Sequence, residues 1–329
     1  MFIVWGNYFE DYPTLEPADT ALSAELTVRA MCSLLGWNLC LDETKNKPFG
    51  ERCPMLGIIT CLERLPSAEA VADNKPERMV DIRDIVESIL SSKSCPKPFV
   101  AELRGKCQYA AAQVAGRLAV GVLAGLSEHQ YRTLSDRISS FTELILKRLL
   151  ELIVNSKPRT LNCRGSDKPV LVFTDGACEE RATTMGAVII DVAETFKPFM
   201  WGCEVHAALV ARWKSEGSLQ VIGQTELLPI VLVKSEYRQL FRHRRIIFFI
   251  DNDAARCSMV NGYSPSMESN RLIQFATATD QDVQCWCWYT RVPSASNPAD
   301  APSRLELTPS KDNAWAAVVP APDIPASLL

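Results

Sequence analysis

Four acidic residues in the C-terminal half restrict the folds that this chain can adopt, because each lies at a predicted strand end or helix start. Asp175 and Asp251 end the apolar runs VLVFTDGA and IIFFIDNDAA. Glu226 opens a helical segment in IGQTELLPI, and Asp300 follows Asn-Pro-Ala, which suits a helix start. Carboxylates in such places can meet at one point, where they repel one another unless cations neutralise them. The pattern predicts a site for hard divalent cations, and two such ions held together can cleave phosphodiesters.

Size and composition indicate a globular protein of two or three domains. The 329 residues are 47% hydrophobic and 22% charged, which suffices for ordinary cores. The net charge of −4 is unlike that of a dedicated nucleic-acid binder, although four carboxylates reserved for metal lower the total. No run reaches the roughly 18 apolar residues of a membrane span. The N-terminus has no basic region typical of a signal peptide, so we expect neither secretion nor membrane association.

The 12 cysteines are scattered along the chain and form no Cys-x-x-Cys pair. Cys285 and Cys287 lie in a strand-like run, so their side chains are expected on the same face. The histidines at 129, 206 and 243 do not supply the further ligands that a zinc site requires. We therefore expect free thiols in a reducing compartment, and an intracellular protein of the cytoplasm or nucleus.

The spacing of apolar residues predicts two regions joined by a polar linker near residues 155–168. Three helices are predicted before the linker, over 79–92, 101–126 and 128–154. Five strands are predicted after it, over 170–173, 186–192, 196–205, 245–250 and 283–292. Helices are predicted between them over 226–241, 254–260 and 267–279. The predicted fold class is α/β, with a mixed five-stranded sheet flanked by helices and preceded by a mainly helical region. The Pro- and Ala-rich segment 306–329 is expected to be a loose tail.

The acidic motifs resemble those of the ribonuclease H family, most closely the domains fused to reverse transcriptases of retroelements, DIRS-like or related. TDGA with Asp175 is similar to the first-strand motif, and QTEL with Glu226 to the first-helix motif. FIDNDAA with Asp251 is similar to the fourth-strand motif, and RVPSASNPADAPSR with Asp300 to the last motif. The resemblance covers about residues 168–305. It implies a ribonuclease H-like fold in which these four acids are the catalytic and metal-ligating residues.

The same resemblance implies a substrate and cofactors. The substrate would be the RNA strand of an RNA–DNA hybrid, distinguished by contacts to 2′-hydroxyl groups. The cofactors would be two Mg²⁺ ions, or Mn²⁺ in their place, with Asp175 bridging them. Many relatives carry a mobile histidine before the last motif, whereas this chain has Pro293-Ser294-Ala295-Ser296 there. Slower product release or proton transfer would follow from that difference.

The N-terminal half resembles part of a reverse transcriptase. NYFEDYPTLEP is similar to the palm hairpin, with Tyr8, Glu10 and Asp11 at its signature positions. Residues 1–78 would form a partial palm, and residues 79–155 a helical region similar to the thumb or connection. Glu10 replaces an expected aspartate, and the fingers are absent, so we expect no DNA synthesis by this chain alone. Templated primer extension would contradict that expectation.

Basic residues supply candidate contacts to nucleic acid. Arg242, Arg244 and Arg245 belong to the densest basic run, and Lys106 lies in the helical region. Such side chains can bind phosphates. A solvated basic surface is the simpler interpretation of the run, and the sequence leaves both open.

Two other functions stay open at this point. One is a non-catalytic module that binds nucleic acid, descended from a reverse transcriptase. The other is a different nuclease on the same fold, of the integrase-like or junction-cleaving kind. The site residues also have structural interpretations, since Asp175 can form a turn, Glu226 can favour a helix start and Asp300 can cap a helix. Nothing in the sequence indicates the oligomeric state.

Overall fold

A computed structural model gives the fold of most of the chain. The structure describes residues 4–5, 14–40, 42, 48–55, 57–111, 114, 116–132, 134–163, 168–179, 182–193, 198–215, 220–264, 266–308 and 315–329. The expected palm signature, Tyr8, Glu10 and Asp11, lies outside the described residues. Within the described ranges, no helix is both long enough and apolar enough to cross a lipid bilayer.

The described residues of the N-terminal part form an α-helix, a short 3₁₀ turn and short antiparallel strands. Its elements are β1 (Val4–Trp5), β2 (Thr14–Leu15), α1 (Ala21–Leu34), β3 (Arg52–Met55), β4 (Ile58–Cys61) and β5 (Glu69–Asn74). β1 pairs with β2, and β3, β4 and β5 pair in succession to form a meander. Alternate residues of β5 are buried, as expected for a strand with one face on the protein.

Four helices follow and pack around their own apolar core. They are α2 (Pro76–Ser92), α3 (Lys97–Ala110), α4 (Val120–Arg132) and α5 (Ser140–Leu149), and α5 continues into a π-helical turn, Leu150–Val154. In α2 the buried side chains Ile82, Val86 and Ile89 follow the predicted helical spacing. They belong to a core shared with the other three helices.

The two longer helices predicted here are wrong in extent. The first, over 101–126, is interrupted by a 3₁₀ turn at Gly116–Ala119, where Gly116 has a φ of +56°. α3 ends at Ala110 and α4 begins at Val120, with the left-handed Gly116 between them. The second, over 128–154, is broken between Arg132 and Ser140, and α5 begins afresh with the hydroxyl of Ser139 accepting a hydrogen bond from the Thr142 amide.

The predicted polar linker contains a strand. Arg159–Asn162 forms β6, which pairs antiparallel with β5 and completes a four-stranded sheet in the order β3-β4-β5-β6. A polar composition does not prevent pairing, since the ladder uses backbone groups alone.

The C-terminal part alternates strands and helices. Its elements are β7 (Val170–Cys178), β8 (Thr183–Asp191), β9 (Phe199–Glu204), α6 (Ala207–Ser215), α7 (Ile222–Glu236), α8 (Arg238–Phe241), β10 (Arg245–Ile250), α9 (Asp253–Asn261), α10 (Met267–Val283), β11 (Trp286–Arg291), α11 (Asp300–Ser303) and β12 (Ala317–Val318). A 3₁₀ turn, Ser294–Ser296, precedes α11.

These strands form one mixed sheet in the order β11-β10-β7-β8-β9-β12. β7, β8 and β9 are antiparallel, whereas β10 is parallel to β7 and β11 is parallel to β10. The predicted α/β class and its five strands are confirmed, and the two-residue β12 adds a sixth. α7 and α10 cover one face of this sheet and bury the main apolar core, which includes Val172, Trp201, Leu228 and Phe248.

α7 begins earlier than the sequence pattern indicates. Its first residue is Ile222, so Glu226 lies in the second turn instead of opening the helix, and Pro229 is interior instead of in the first turn. Proline has no amide hydrogen to donate to the carbonyl four residues earlier, which here belongs to Thr225. The helix tolerates this loss at a position where it approaches β7.

The expected loose tail is wrong for residues 315–329. β12 pairs parallel with β9, and the Val319 amide donates to the Met200 carbonyl at 2.9 Å. Further on, Leu328 is buried in the main core, and a guanidinium nitrogen of Arg212 donates to its carbonyl at 2.7 Å. Val319, Ala321 and Ile324 also pack against this core, so several apolar side chains hold the Pro-rich segment in place.

The helical region and β6 contact the edge of the mixed sheet near β11, largely through arginine side chains. Arg117 donates to the carbonyl of Cys287 at 3.2 Å and to that of Val260 at 3.1 Å. The guanidinium of Arg159 lies 4.0 Å from the ring centre of Trp286, and the Thr160 amide donates to the side-chain oxygen of Gln284. β11 is therefore an edge strand that the rest of the chain partly covers.

Candidate functional site

Two of the predicted acids lie side by side at the same edge of the sheet. The pairing of β10 with β7 ends at Ile250 and Thr174, and the next residues are Asp251 and Asp175. Parallel neighbouring strands are about 4.8 Å apart, so two side chains at equivalent positions are near each other. Asp175 does not end its strand as expected, because β7 continues to Cys178 along β8. It is buried at 6% exposure, between a strand that stops and one that continues.

Glu226 joins the two aspartates because α7 passes unusually close to β7. A Cβ atom added to Gly176 would lie 2.7 Å from the carbonyl carbon of Thr225 and 2.9 Å from the amide nitrogen of Glu226. Only glycine allows this approach, which explains the glycine after Asp175 in the TDGA motif. Gly176 also gives a backbone hydrogen bond to the Glu226 carboxylate. The predicted meeting of strand-end and helix acids is therefore formed by backbone contact.

The three carboxylates form one compact cluster, named here the carboxylate cluster: Asp175, Glu226 and Asp251. One oxygen from each lies within 4.8 Å of the others. Glu226 Oε2 and Asp251 Oδ1 are buried and have no hydrogen-bond partner within the described part of the chain. A buried polar atom without a partner costs free energy comparable to a lost hydrogen bond or more. Two such oxygens within a cluster of three acids indicate a site suited to a positively charged ligand.

Burial and mutual repulsion oppose ionisation of the cluster. Burial raises the pKa of Asp175 to about 6, against a hydrogen bond from Ser303, with Asp251 adding to the rise. Burial, then the charges of Asp175 and Asp251, raise the pKa of Glu226 to about 9. At neutral pH and without a cation, Glu226 therefore carries a proton. A divalent cation would replace that proton and relieve the repulsion.

Asp300 stays outside the carboxylate cluster. It is the first residue of α11, as the Asn-Pro-Ala signal predicts, and its side chain is 45% exposed. Its carboxylate accepts hydrogen bonds from Arg304 at 3.1 and 3.2 Å. Its charge nevertheless contributes to the raised pKa of Asp175, so the two side chains are within electrostatic reach. The structure brings together three of the four predicted acids and places the fourth beside them.

Ser303 is a site residue that the acidic motifs did not indicate. It is fully buried, and its hydroxyl donates to Asp175 Oδ2 and to the carbonyl of Asp300. α11 reaches this position because β8 and β9 carry glycines beneath it. A Cβ atom at Gly202 would lie 1.9 Å from the Pro302 carbonyl oxygen, and one at Gly186 2.5 Å from the Ser303 amide. The only sequence feature that could have indicated this residue is the Ser303-Arg304 pair at the end of the last motif.

The loop before α11 is anchored to the same strand. The side-chain amide of Asn297 donates to the carbonyl of Thr174 at 3.1 Å, and its side-chain oxygen accepts from the Ala299 amide. Thr174 immediately precedes Asp175. The Asn-Pro-Ala-Asp segment therefore fixes α11 against the strand end that carries the cluster.

The candidate phosphate-binding residues lie elsewhere or are already paired. Arg244 holds both oxygens of Asp191 at 2.6 Å, and Lys106 pairs with Asp81 at 2.5 Å and Glu102 at 3.0 Å. Both have structural partners that a phosphate would have to displace.

Two arginines of the basic run are exposed. Arg242 lies just before β10, and Arg245 is its first residue. Asp251 follows the other end of that strand, about 20 Å away at 3.3 Å per residue. The exposed arginines are therefore remote from the carboxylate cluster.

Comparison with known proteins gives structural similarity only. No protein-family model matches the chain, and no curated protein matches it. Among solved structures, the N-terminal ribonuclease H domain of Rv2228c from Mycobacterium tuberculosis, fused to maltose-binding protein, is 13% identical. That similarity has a TM-score of 0.31 and covers 42% of this chain and 92% of that one.

Two further structures show the same kind of similarity. Ribonuclease H1 from the halophilic archaeon Halobacterium salinarum NRC-1 is 13% identical, with a TM-score of 0.29, covering 41% of this chain and 95% of that one. The foamy viral protease–reverse transcriptase dRH in complex with double-stranded DNA is 11% identical, with a TM-score of 0.36. It covers 87% of this chain, which spans 46% of the viral one. None of these similarities defines the chemistry of the site.

Proposed function

We propose that the chain cleaves the RNA strand of RNA–DNA hybrids with the help of divalent metal ions. The observation that carries this proposal is the carboxylate cluster, in which three acids share one point and two of their buried oxygens have no partner among the described residues. Carboxylate oxygens are the ligands that Mg²⁺ prefers, and Mn²⁺ accepts the same set. The residues therefore fit the metal that this chemistry uses.

Asp175, Glu226 and Asp251 would hold the ions, with Asp300 as a further ligand. When bound, paired Mg²⁺ ions supply an activated water and stabilise the leaving oxygen of a phosphodiester. The chain's own contribution is positioning. Ser303 fixes one oxygen of Asp175, and the close contact at Gly176 fixes Glu226 against it.

The role of Asp300 depends on its partner. Its exposed pair with Arg304 costs little to open, since surface ion pairs contribute at most about 1 kcal/mol. Asp300 can therefore exchange Arg304 for a metal ion without disturbing the fold. This supports Asp300 as a fourth ligand beside the three acids of the carboxylate cluster.

The hybrid substrate follows from the resemblance of the four motifs to the ribonuclease H family. Selection of RNA would use contacts to the 2′-hydroxyl groups. A non-catalytic nucleic-acid-binding module is the second candidate, and the position of Asp300 outside the cluster favours it. Another nuclease on the same fold is the third. An intracellular location, in the cytoplasm or nucleus, is part of the proposal.

Cleavage of a labelled RNA–DNA hybrid in Mg²⁺ tests the proposal. Asp251→Asn should reduce the cleavage rate more than about 100-fold, because even outer-shell partners of metal ligands contribute about 10- to 100-fold. Asp253→Asn is the matched control. Asp253 is two residues along the chain, is exposed and pairs with Arg256.

Three outcomes distinguish the candidates. Cleavage by the native chain and Asp253→Asn, lost in Asp251→Asn with hybrid binding retained, supports the proposal. Binding without cleavage in any form leaves the binding module in its place. Equal cleavage of single-stranded RNA indicates a different nuclease.

A further inference from the structure

A second cluster of chemically active side chains lies at the other end of the sheet, named here the thiol cluster: Asp280, Cys285 and Cys287. Cys285 Sγ is 3.4 Å and Cys287 Sγ is 3.3 Å from the same oxygen, Asp280 Oδ1. The two sulfurs are 3.7 Å apart. One atom from each residue therefore lies within 4.8 Å of the others, which is the spacing of ligands around one metal ion.

Local backbone geometry builds the thiol cluster. α10 ends at Val283, and its C-cap residue Gln284 has a φ of +55°, the left-handed conformation that turns the chain back. Cys285 and Cys287 then occupy alternate positions entering β11, so both side chains point to the face covered by α10. Asp280 faces them from the last turn of that helix.

The distances match tetrahedral coordination. Zinc–sulfur bonds are about 2.3 Å and zinc–oxygen bonds about 2.0 Å, so tetrahedral angles separate two sulfurs by about 3.8 Å and a sulfur from an oxygen by about 3.5 Å. The observed separations are 3.7, 3.4 and 3.3 Å. A sulfur–sulfur bond, in contrast, is about 2.05 Å long. An ion would need almost no movement of its ligands.

The charges around the thiol cluster also balance. The ammonium group of Lys234 is fully buried and lies 2.6 and 2.7 Å from the two oxygens of Asp280. A divalent cation with two thiolates and one carboxylate has a net charge of minus one, which the lysine neutralises.

We propose that Asp280, Cys285 and Cys287 form a binding site for a thiophilic divalent cation of the Zn²⁺ class. Thiolates favour this class over Mg²⁺, which prefers oxygen ligands. Asp280 and Cys287 are only partly buried, which leaves room for water as a fourth ligand. The bound ion would fasten the end of α10 to β11, beside the point where Arg117 contacts the Cys287 carbonyl.

This site is independent of the carboxylate cluster. Cys287 lies level with Ile246 in the β10–β11 pairing, and Asp251 is five residues further along β10. At 3.3 Å per residue the two clusters are about 16 Å apart. Failure of the nuclease proposal would leave this one standing, and the reverse also holds.

Cobalt titration of the reduced, metal-free full chain tests the proposal, with excess Mg²⁺ present to compete at the carboxylate cluster. Thiolate ligation gives a sulfur-to-cobalt charge-transfer absorption that oxygen ligands do not give. We expect this absorption to saturate at one ion per chain and to disappear on addition of Zn²⁺. It should be lost in Cys285→Ser and in Cys287→Ser. It should persist in Cys203→Ser, a control that alters another partly buried thiol, on β9.

A measurement on the native chain covers the case in which a variant does not fold. Zn²⁺ should protect Cys287 from alkylation while the exposed Cys257 on α9 reacts at an unchanged rate. Three results would overturn the site: no charge-transfer absorption, the same absorption in both serine variants, or equal alkylation of Cys287 with and without Zn²⁺. Formation of a Cys285–Cys287 disulfide instead of metal uptake would overturn it equally.

Discussion

The helix α7 carries two buried ionisable side chains, Glu226 and Lys234, in opposite electrostatic surroundings. They are eight residues apart, about 12 Å along the helix, and are 4% and 0% exposed. The neighbours of Glu226 are two further acids, and one of its oxygens has no hydrogen-bond partner within the described residues. Lys234 donates to both oxygens of Asp280 and, at 2.7 Å, to the hydroxyl of Tyr289.

Burial opposes both charges, but the neighbours decide the result. Burial alone would lower the pKa of Lys234, yet the charge of Asp280 raises it well above its ordinary value. Burial and like charges act together on Glu226 and raise its pKa to about 9. The fold therefore provides Lys234 with a counter-ion, Asp280. It provides none for Glu226, so that a cationic ligand could take that place. Equal burial on one helix can thus mark either a structural pair or a binding site.

Removing the charge of Lys234, which is paired with Asp280, should have the largest effect on stability. Lys234→Met leaves Asp280 without its buried counter-ion, which should cost about 3 to 5 kcal/mol of unfolding free energy. Urea denaturation at pH 7 in the presence of a chelator measures the loss. Lys214→Met changes an exposed lysine of α6 and should stay within about 0.5 kcal/mol. If Lys234→Met lowered the unfolding free energy by less than about 1 kcal/mol, the proposed contrast between Lys234 and Glu226 would be wrong.

Replacing Glu226 with the uncharged glutamine should change stability in the opposite direction. Glu226 has a folded pKa near 9 against 4.5 for an ordinary glutamate, so its contribution to stability is present below pH 4.5 and is lost as the pH rises towards 9. Each pH unit above the unfolded pKa costs about 1.4 kcal/mol, so without metal at pH 7 Glu226→Gln should be more stable than the native chain by ~3 kcal/mol.

The pH dependence provides the control for that variant. The difference between Glu226→Gln and the native chain should vanish at pH 4, where the carboxyl group is protonated in both the folded and the unfolded state. Glu236→Gln, which removes an exposed carboxyl group from the end of the same helix, is the matched control. Thermal unfolding at several pH values, with chelator, measures both. A destabilised Glu226→Gln at pH 7 would contradict the account of the carboxylate cluster.

The smallest expected effect on stability belongs to Asp300. Its pair with Arg304 is exposed, so Asp300→Asn should change the unfolding free energy by less than about 0.5 kcal/mol. If Asp300 is a metal ligand, the Mg²⁺ concentration required for half-maximal hybrid cleavage should rise about tenfold or more. An unchanged Mg²⁺ requirement would leave the three-acid cluster as the whole metal site.

Elements defined by short-range patterns were predictable from the sequence. β10 has the predicted bounds because a continuous apolar run between charged residues leaves few alternatives. The succession of the five strands along the chain is also as predicted. The sequence predicted a single helix over 101–126 and did not indicate its interruption, because the spacing of apolar residues does not reveal the backbone conformation of Gly116. β12 was missed because two residues that pair only through their backbone leave no periodic signal.

In the carboxylate and thiol clusters, too, some contacts were predictable from the sequence and others were not. The apolar runs that precede Asp175 and Asp251 indicated their meeting, since parallel neighbouring strands bring equivalent positions together, although β7 itself continues beyond Asp175. The hydroxyl of Ser303 and the proximity of Asp280 to two cysteines gave no comparable signal. Both depend on a turn or a glycine contact that brings separate segments together, at Gln284 in one case and at Gly202 in the other.

The sequence by itself determined the α/β alternation, the position of Asp251 directly after a strand and that of Asp300 at a helix start, because these follow from local spacing along the chain. Only the tertiary structure decided that Glu226 lies beside two other acids, that Lys234 pairs with Asp280 and that Asp300 lies outside the carboxylate cluster. The reason is physical: the free energy of a buried charge depends on the groups within a few ångström in space, and those groups come from distant parts of the chain.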